Sequence, residues 1–93
     1  MIVRNWRCRF GEIDLIVSRD DDVRFVEVKT RRSSTYGHPS ESVTPTKLLH
    51  LRRCIECWLL TRPAHPKKYQ ADVIAITALP NTTPVIEWME GAM

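Results

Sequence analysis

Gly11-Glu12-Ile13-Asp14-Leu15-Ile16-Val17-Ser18, followed by Arg19-Asp20-Asp21-Asp22 and then Val23-Arg24-Phe25-Val26-Glu27-Val28-Lys29, is the stretch on which the fold turns. Its two flanks alternate polar and apolar residues, the pattern of half-buried strands. The charged run between them reads as a four-residue loop closing an antiparallel hairpin. That loop pairs Ser18 with Val23 and, in the same register, sets Asp14 opposite Glu27 and Glu12 opposite Lys29. Four charged side chains then share one face, and the aliphatic face of Ile13, Leu15, Val17, Val26 and Val28 is expected to be the core.

Opposed residues in such a ladder hold their Cβ atoms roughly 5 Å apart, where like charges are destabilising. Asp14 and Glu27 in that relation call for neutralisation, which a hard divalent cation such as Mg²⁺ or Mn²⁺ supplies when bound through one or two carboxylates, water and substrate phosphate oxygens. Lys29 lies two residues from Glu27 and so on the same face, placed to polarise a water or steady a charged transition state. This is the geometry of a metal-dependent phosphodiester hydrolase. Glu-x-Lys is also a common accident of amphipathic strands, and Glu12 with Lys29 equally describes a surface ion pair worth under about 1 kcal/mol.

The chain has 93 residues, 43% hydrophobic and 27% charged, the size and composition of one folded domain spanning 1–93. Its net charge of +3 weakly favours polyanionic partners. The clustering says more: Arg4, Arg7 and Arg9; Lys29, Arg31 and Arg32; Arg52 and Arg53; Lys67 and Lys68. Such groups suit phosphate contacts near an acidic site, although any single pair also reads as solvated surface. The 3 cysteines, Cys8, Cys54 and Cys57, have no second pair to complete a zinc site and read as small core or flank residues in a reducing compartment. No apolar run approaches the ~18 residues of a membrane span and no signal peptide opens the chain, so a cytoplasmic protein is expected.

Residues 2–9 alternate as a first strand before a turn at Phe10 and Gly11, making a three-stranded meander with strands at 12–18 and 23–30. A polar loop from Arg31 to Val43 then leaves the strand that bears Glu27 and Lys29, placed to touch a substrate. Thr44-Pro45 is an N-cap and first-turn pair, and Leu48, Leu51, Ile55, Trp58 and Leu59 recur at helical spacing up to Pro63. Lys47 in the first turn is a phosphate-contact candidate beside a plainer reading as a solvated lysine. Tyr69 to Thr77 reads as a buried strand that returns parallel to the Glu27 strand. Asp72 within it is either a helper carboxylate or, the preferred reading, the partner of a buried arginine. Pro84 to Met89 forms a final edge strand or terminal extension.

Asp14 and Glu27-Val28-Lys29 on consecutive strands, followed by a crossover helix and a strand, resemble the PD-(D/E)XK nuclease superfamily. More closely, Asn5-Trp6-Arg7, Gly11 to Ile16, Phe25 to Arg31, Gly37, Pro39, Val43-Thr44, Lys47 and Asp72-Val73 are similar to the YraN-type family of uncharacterised bacterial proteins, itself distantly similar to archaeal Holliday junction resolvases. The resemblance covers nearly the whole chain. It implies an α/β, restriction-endonuclease-like mixed sheet, with Asp14 and Glu27 as metal ligands, Lys29 as catalytic lysine and Glu12 as auxiliary acid. It also implies an amphipathic helix ahead of the first strand. Here Met1 falls inside that strand, and the apolar sheet surface left open is expected to be covered in a homodimer.

The expected function is therefore that of a DNA-acting endonuclease using Mg²⁺ or Mn²⁺, with Arg31, Arg32 and Lys47 on nucleic acid. The alternatives are a catalytically inactive nucleic-acid-binding module, or a partner-binding module, of the same fold.

Overall fold

The computed structural model describes residues 1–32, apart from the Arg31 side chain, and residues 44–91. The loop residues 33–43 expected to touch substrate lie outside the described residues. Chain order is β1 (Ile2–Cys8), β2 (Gly11–Arg19), β3 (Asp22–Arg31), α1 (Pro45–Leu60), β4 (Lys68–Thr77) and β5 (Val85–Met89). The strands form one 5-stranded sheet in that order. All neighbours are antiparallel except β3 and β4, which run parallel across the connection that holds α1. This mixed α/β arrangement is consistent with the restriction-endonuclease-like fold. Among the described residues no helix is long and apolar enough to cross a membrane.

The β2–β3 hairpin is tighter than its charges suggest. Arg19 pairs with Asp22, so the turn contains only Asp20 and Asp21, at φ +52° and +65°. Two successive left-handed residues make the turn whose twist matches the flanking strands, and aspartate tolerates that conformation better than most residues. The register is the expected one, with Ser18 opposite Val23. Asp21 also fastens the end of β4, its carboxylate accepting from Lys67 N at 3.0 Å and its carbonyl from Lys68 N at 3.3 Å.

The expected inside and outside of this hairpin need correction. Ile16, Val23 and Phe25, which lie on the face that carries Glu27 and Lys29, pack under α1 together with Ala71, Leu51, Cys54, Ile55, Trp58 and Leu59. Phe25 meets Trp58 edge to face at 5.4 Å. On the other face Val26 is fully buried as expected, while Leu15, Val17 and Val28 are only half-buried. The carboxylates therefore border the main core. Ile13 is the exception to strict alternation: it and Ile16 both enter this core. Between them the strands change phase at Asn5, whose φ of +51° interrupts the β1–β2 pairing opposite Asp14.

Helix α1 begins as its sequence dictates. Thr44 Oγ1 accepts from Lys47 N at 3.2 Å and Pro45 opens the first turn. The buried stripe is Leu51, Cys54, Ile55, Trp58 and Leu59. Leu48 is half-buried, and Cys54 takes a fuller place in the stripe than the spacing assigned to it.

On the opposite face, Asp72 is fully buried. It accepts from Gly91 N at 2.7 Å, Trp88 Nε1 at 2.8 Å, Gln70 Nε2 at 2.9 Å and Arg24 Nη1 at 3.2 Å. The preferred sequence reading of an arginine partner is met by Arg24, which also reaches Asp22 and Glu90.

Candidate active site

β3 positions Glu27 and Lys29 side by side, Lys29 Nζ lying 3.1 Å from Glu27 Oε1, with the Lys29 side chain 23% and the Glu27 side chain 26% exposed. Across the parallel ladder their neighbours are Val73 and Ala75, both fully buried. The pair thus sits on an apolar floor, which strengthens electrostatic interactions and makes an unneutralised charge costly.

Asp14 approaches from β2. The β2–β3 ladder stops at Leu15 opposite Val26, and where it would continue, Val28 N donates instead to Asp14 Oδ2 at 2.9 Å. The strand break therefore gives the Asp14 carboxylate a backbone donor that fixes its place at the edge of β3. Burial pushes the Glu27 carboxyl above its ordinary value; Lys29 works against that rise and the neighbouring Asp14 adds to it. Two carboxylates and one lysine are thus concentrated where water is scarce.

A cleft of about 270 Å³ opens beside them, lined by Glu12, Glu27 and Lys29 from the sheet, Phe10 and Gly11 from the β1–β2 turn, and Lys47, His50, Leu51 and Cys54 from α1. Glu12 reaches this cleft, but its partner is not Lys29. It faces Arg7 in the β1–β2 register, with Arg7 Nε at 3.3 Å. The physical reason is the phase change at Asn5 and Asp14, beyond which β2 follows β1 rather than β3. Arg32 is exposed at the end of β3, the Arg31 side chain lies outside the described residues, and Lys47 is exposed on the first turn of α1.

Two lining residues escaped the sequence reading. His50 falls one helical turn after Lys47, a spacing that would have found it once Lys47 was placed. Phe10 lies under two guanidinium groups, Arg9 at 4.7 Å and Arg53 at 5.5 Å from its ring centre, a contact between distant segments that no local pattern shows.

The model of the uncharacterised protein family UPF0102 matches residues 1–76. The chain belongs to this family. UPF0102 is the YraN-type family whose motifs the sequence resembles. UPF0102 proteins similar to it include that of Beutenbergia cavernae, 41% identical over 91 residues, covering 98% of this chain and 77% of the relative. That of Nocardia farcinica is 40% identical over 91 residues, covering 98% and 72%. That of Kineococcus radiotolerans is 46% identical over 90 residues, covering 95% and 73%. All carry the UPF0102 name and none names an activity.

For this UPF0102 chain, the donor set suits a hard cation. Among the described residues no group of three or more His, Cys, Asp or Glu side chains is arranged to hold a metal. Asp14 and Glu27 form instead a two-carboxylate set of the kind Mg²⁺ uses when water and phosphate oxygens complete its shell. Burial raises the Glu27 carboxyl first, and the nearby Asp14 adds to the rise that Lys29 opposes.

The same shift makes a metal-free prediction. A carboxyl whose native pKa is raised contributes most stability below its unfolded value and loses that contribution as pH rises through the native value. Glu27→Gln is therefore expected to raise Tm by a few degrees in EDTA at pH 7, with the difference vanishing below about pH 4. Thermal unfolding across that pH range checks it, and a Glu27→Gln variant less stable than wild type at pH 7 would show that the ion pair with Lys29 outweighs the burial cost.

Proposed function

We propose that this protein is a metal-dependent phosphodiester hydrolase of nuclease-like fold that acts on DNA. The observation that carries the reading is the convergence of Asp14, Glu27 and Lys29 at the edge of a cleft, where burial holds the Glu27 carboxyl above its ordinary value. Asp14 and Glu27 would hold Mg²⁺ or Mn²⁺. Bound there, the ion supplies Lewis-acid polarisation of a phosphoryl oxygen and lowers the pKa of a coordinated water. Lys29, beside Glu27, would face the charge that builds on the phosphoryl oxygens in the transition state. Glu12 stands on the same cleft as an auxiliary acid, and Lys47, Arg31 and Arg32 supply positive charge for the backbone of the strand. The reading includes a homodimer covering exposed apolar side chains such as Ile2 and Ile86; a monomeric mass in sedimentation would remove that part alone.

The second reading is a nucleic-acid-binding module without turnover. The Lys29–Glu27 contact at 3.1 Å favours it, because an ion pair that satisfies both partners needs no metal. Thermal unfolding of wild type and Glu27→Ala in EDTA, Mg²⁺ and Mn²⁺ separates the two. A ligand that binds only the native state must stabilise it, and about 10 mM metal at a millimolar site is worth roughly 1.5 kcal/mol, or at least about 5 °C. That rise is expected in the wild type and not in Glu27→Ala. Equal curves in both, with DNA binding that survives chelation and weakens with salt, would favour the binding module.

A further inference from the structure

Cys8, Cys54 and Cys57 come together at the cleft wall that Cys54 lines, although Cys8 and the other two are distant in sequence. Cys8 ends β1 and pairs with Gly11 across the first turn. Cys54 and Cys57 lie one turn apart on α1, on adjoining positions of one helix face. Cys8 Sγ stands 3.3 Å from Cys54 Sγ. Cys57 and the backbone amides of Phe10 and Gly11 are its other hydrogen-bond neighbours. All three cysteines are free; Cys54 is buried, and Cys8 and Cys57 are partly exposed.

This arrangement treats the sulfurs unequally. Burial opposes ionisation of Cys8, but the Phe10 amide, Cys54, Cys57 and the Gly11 amide together bring it below the ordinary thiol value. Burial, and then the neighbouring Cys8, push Cys54 up to about 12. Cys8 is thus partly exposed and the more readily ionised of the two, and the sulfur nearest it, that of Cys54, is held as a thiol 3.3 Å away. A reactive cysteine poised beside a resolving one has this geometry.

We propose that Cys8 is a hydroperoxide-reactive site, resolved by Cys54 into an intramolecular disulfide. The Cys8 thiolate attacks one peroxide oxygen, the O–O bond breaks, and the departing alkoxide or hydroxide takes a proton to leave as alcohol or water. Cys8 is then a sulfenic acid. Cys54 gives up its proton, its sulfur attacks that of Cys8, the S–O bond breaks and water leaves. Two thiols are oxidised by two electrons in all, and one peroxide is reduced to an alcohol and water. Closing from 3.3 Å to the ~2.05 Å of a disulfide asks little of either strand or helix. The product ties the first hairpin to α1. Because Cys54 also lines the cleft with Glu27 and Lys29, oxidation would alter one wall of that cleft.

The test needs only the full chain, reduced, and an equimolar dose of hydrogen peroxide at pH 7. The expected product has lost about 2 Da, yields a Cys8–Cys54 cross-linked peptide, and unfolds about 10 °C higher until dithiothreitol restores the starting curve. Cys57→Ser should give the same product. Cys8→Ser should lose its remaining thiols at least about tenfold more slowly than wild type. The double variant Cys54→Ser, Cys57→Ser should hold a sulfenic acid at Cys8 that dimedone labels. A Cys8→Ser protein that oxidises as fast as wild type would overturn the assignment of Cys8, and a Cys8–Cys57 or intermolecular product would overturn that of Cys54. Mapping the cross-link in the wild type decides the matter even if a variant does not fold. None of these readouts depends on metal or DNA.

Discussion

Lys29→Ala is expected to lower metal-dependent DNA cleavage by about 10²- to 10³-fold while leaving metal-induced stabilisation in place. That magnitude is typical of removing one preorganised charge from a water-poor site. The separation matters because Glu27→Ala should abolish cleavage and metal stabilisation together. Lys29 lies 3.1 Å from Glu27 Oε1, and the two face buried Ala75 and Val73 respectively, so on the proposed reading it would act at the reacting phosphate without being needed to hold the ion. Lys29→Arg should recover only part of the rate, since a planar guanidinium does not reproduce a compact ammonium at one point. Single-turnover cleavage beside melting curves with and without Mg²⁺ is the measurement. Wild-type cleavage unchanged by Lys29→Ala would confine the lysine to an ion pair.

Asp72→Asn is expected to cost about 3 kcal/mol of stability without touching the cleft. Asp72 is fully buried and accepts from a backbone amide, an indole, a side-chain amide and a guanidinium. An asparagine amide presents hydrogens to donors and leaves Arg24 short of a countercharge, the situation in which breaking a buried pair is most damaging. Urea unfolding measures the loss, a large fraction of the stability of a small domain. The pH dependence follows from the same contacts. Burial alone would raise the Asp72 carboxyl, but Gly91, Trp88, Gln70 and Arg24 together bring it below the usual carboxylate range. A depressed carboxyl stabilises the fold above its unfolded pKa and loses that contribution as pH falls through the native one. Acid unfolding of the wild type should therefore steepen below about pH 4, and Asp72→Asn should flatten that limb.

Much of the hairpin that carries the candidate site was legible in residues 11–29 because strand chemistry is local. Alternation showed which residues share a face, and the charged run between the strands set the register, even though it closes as a turn of Asp20 and Asp21 rather than as a loop of four. The helix was legible from Thr44-Pro45 and from its apolar spacing. Asp72 announced itself as a charge in an apolar strand. Asn5 did not announce itself, because nothing in its neighbours signals a left-handed residue within a strand.

Sequence alone determined the strands, the helix and the placing of Glu27 and Lys29 on one face of one strand, because backbone propensity, turn chemistry and side-chain alternation act over a few residues. Tertiary structure decided which face α1 covers. Alternation defines two faces but is silent on which receives the helix, and the larger side chains, Phe25 and Ile16, lie with the carboxylates and not opposite them. It also decided Glu12's partner, the Arg24 and Trp88 contacts to Asp72, and the meeting of Cys8 with Cys54 across 46 positions. Such contacts form only after the sheet closes and the helix docks, since the energy that holds them comes from burial shared between distant segments.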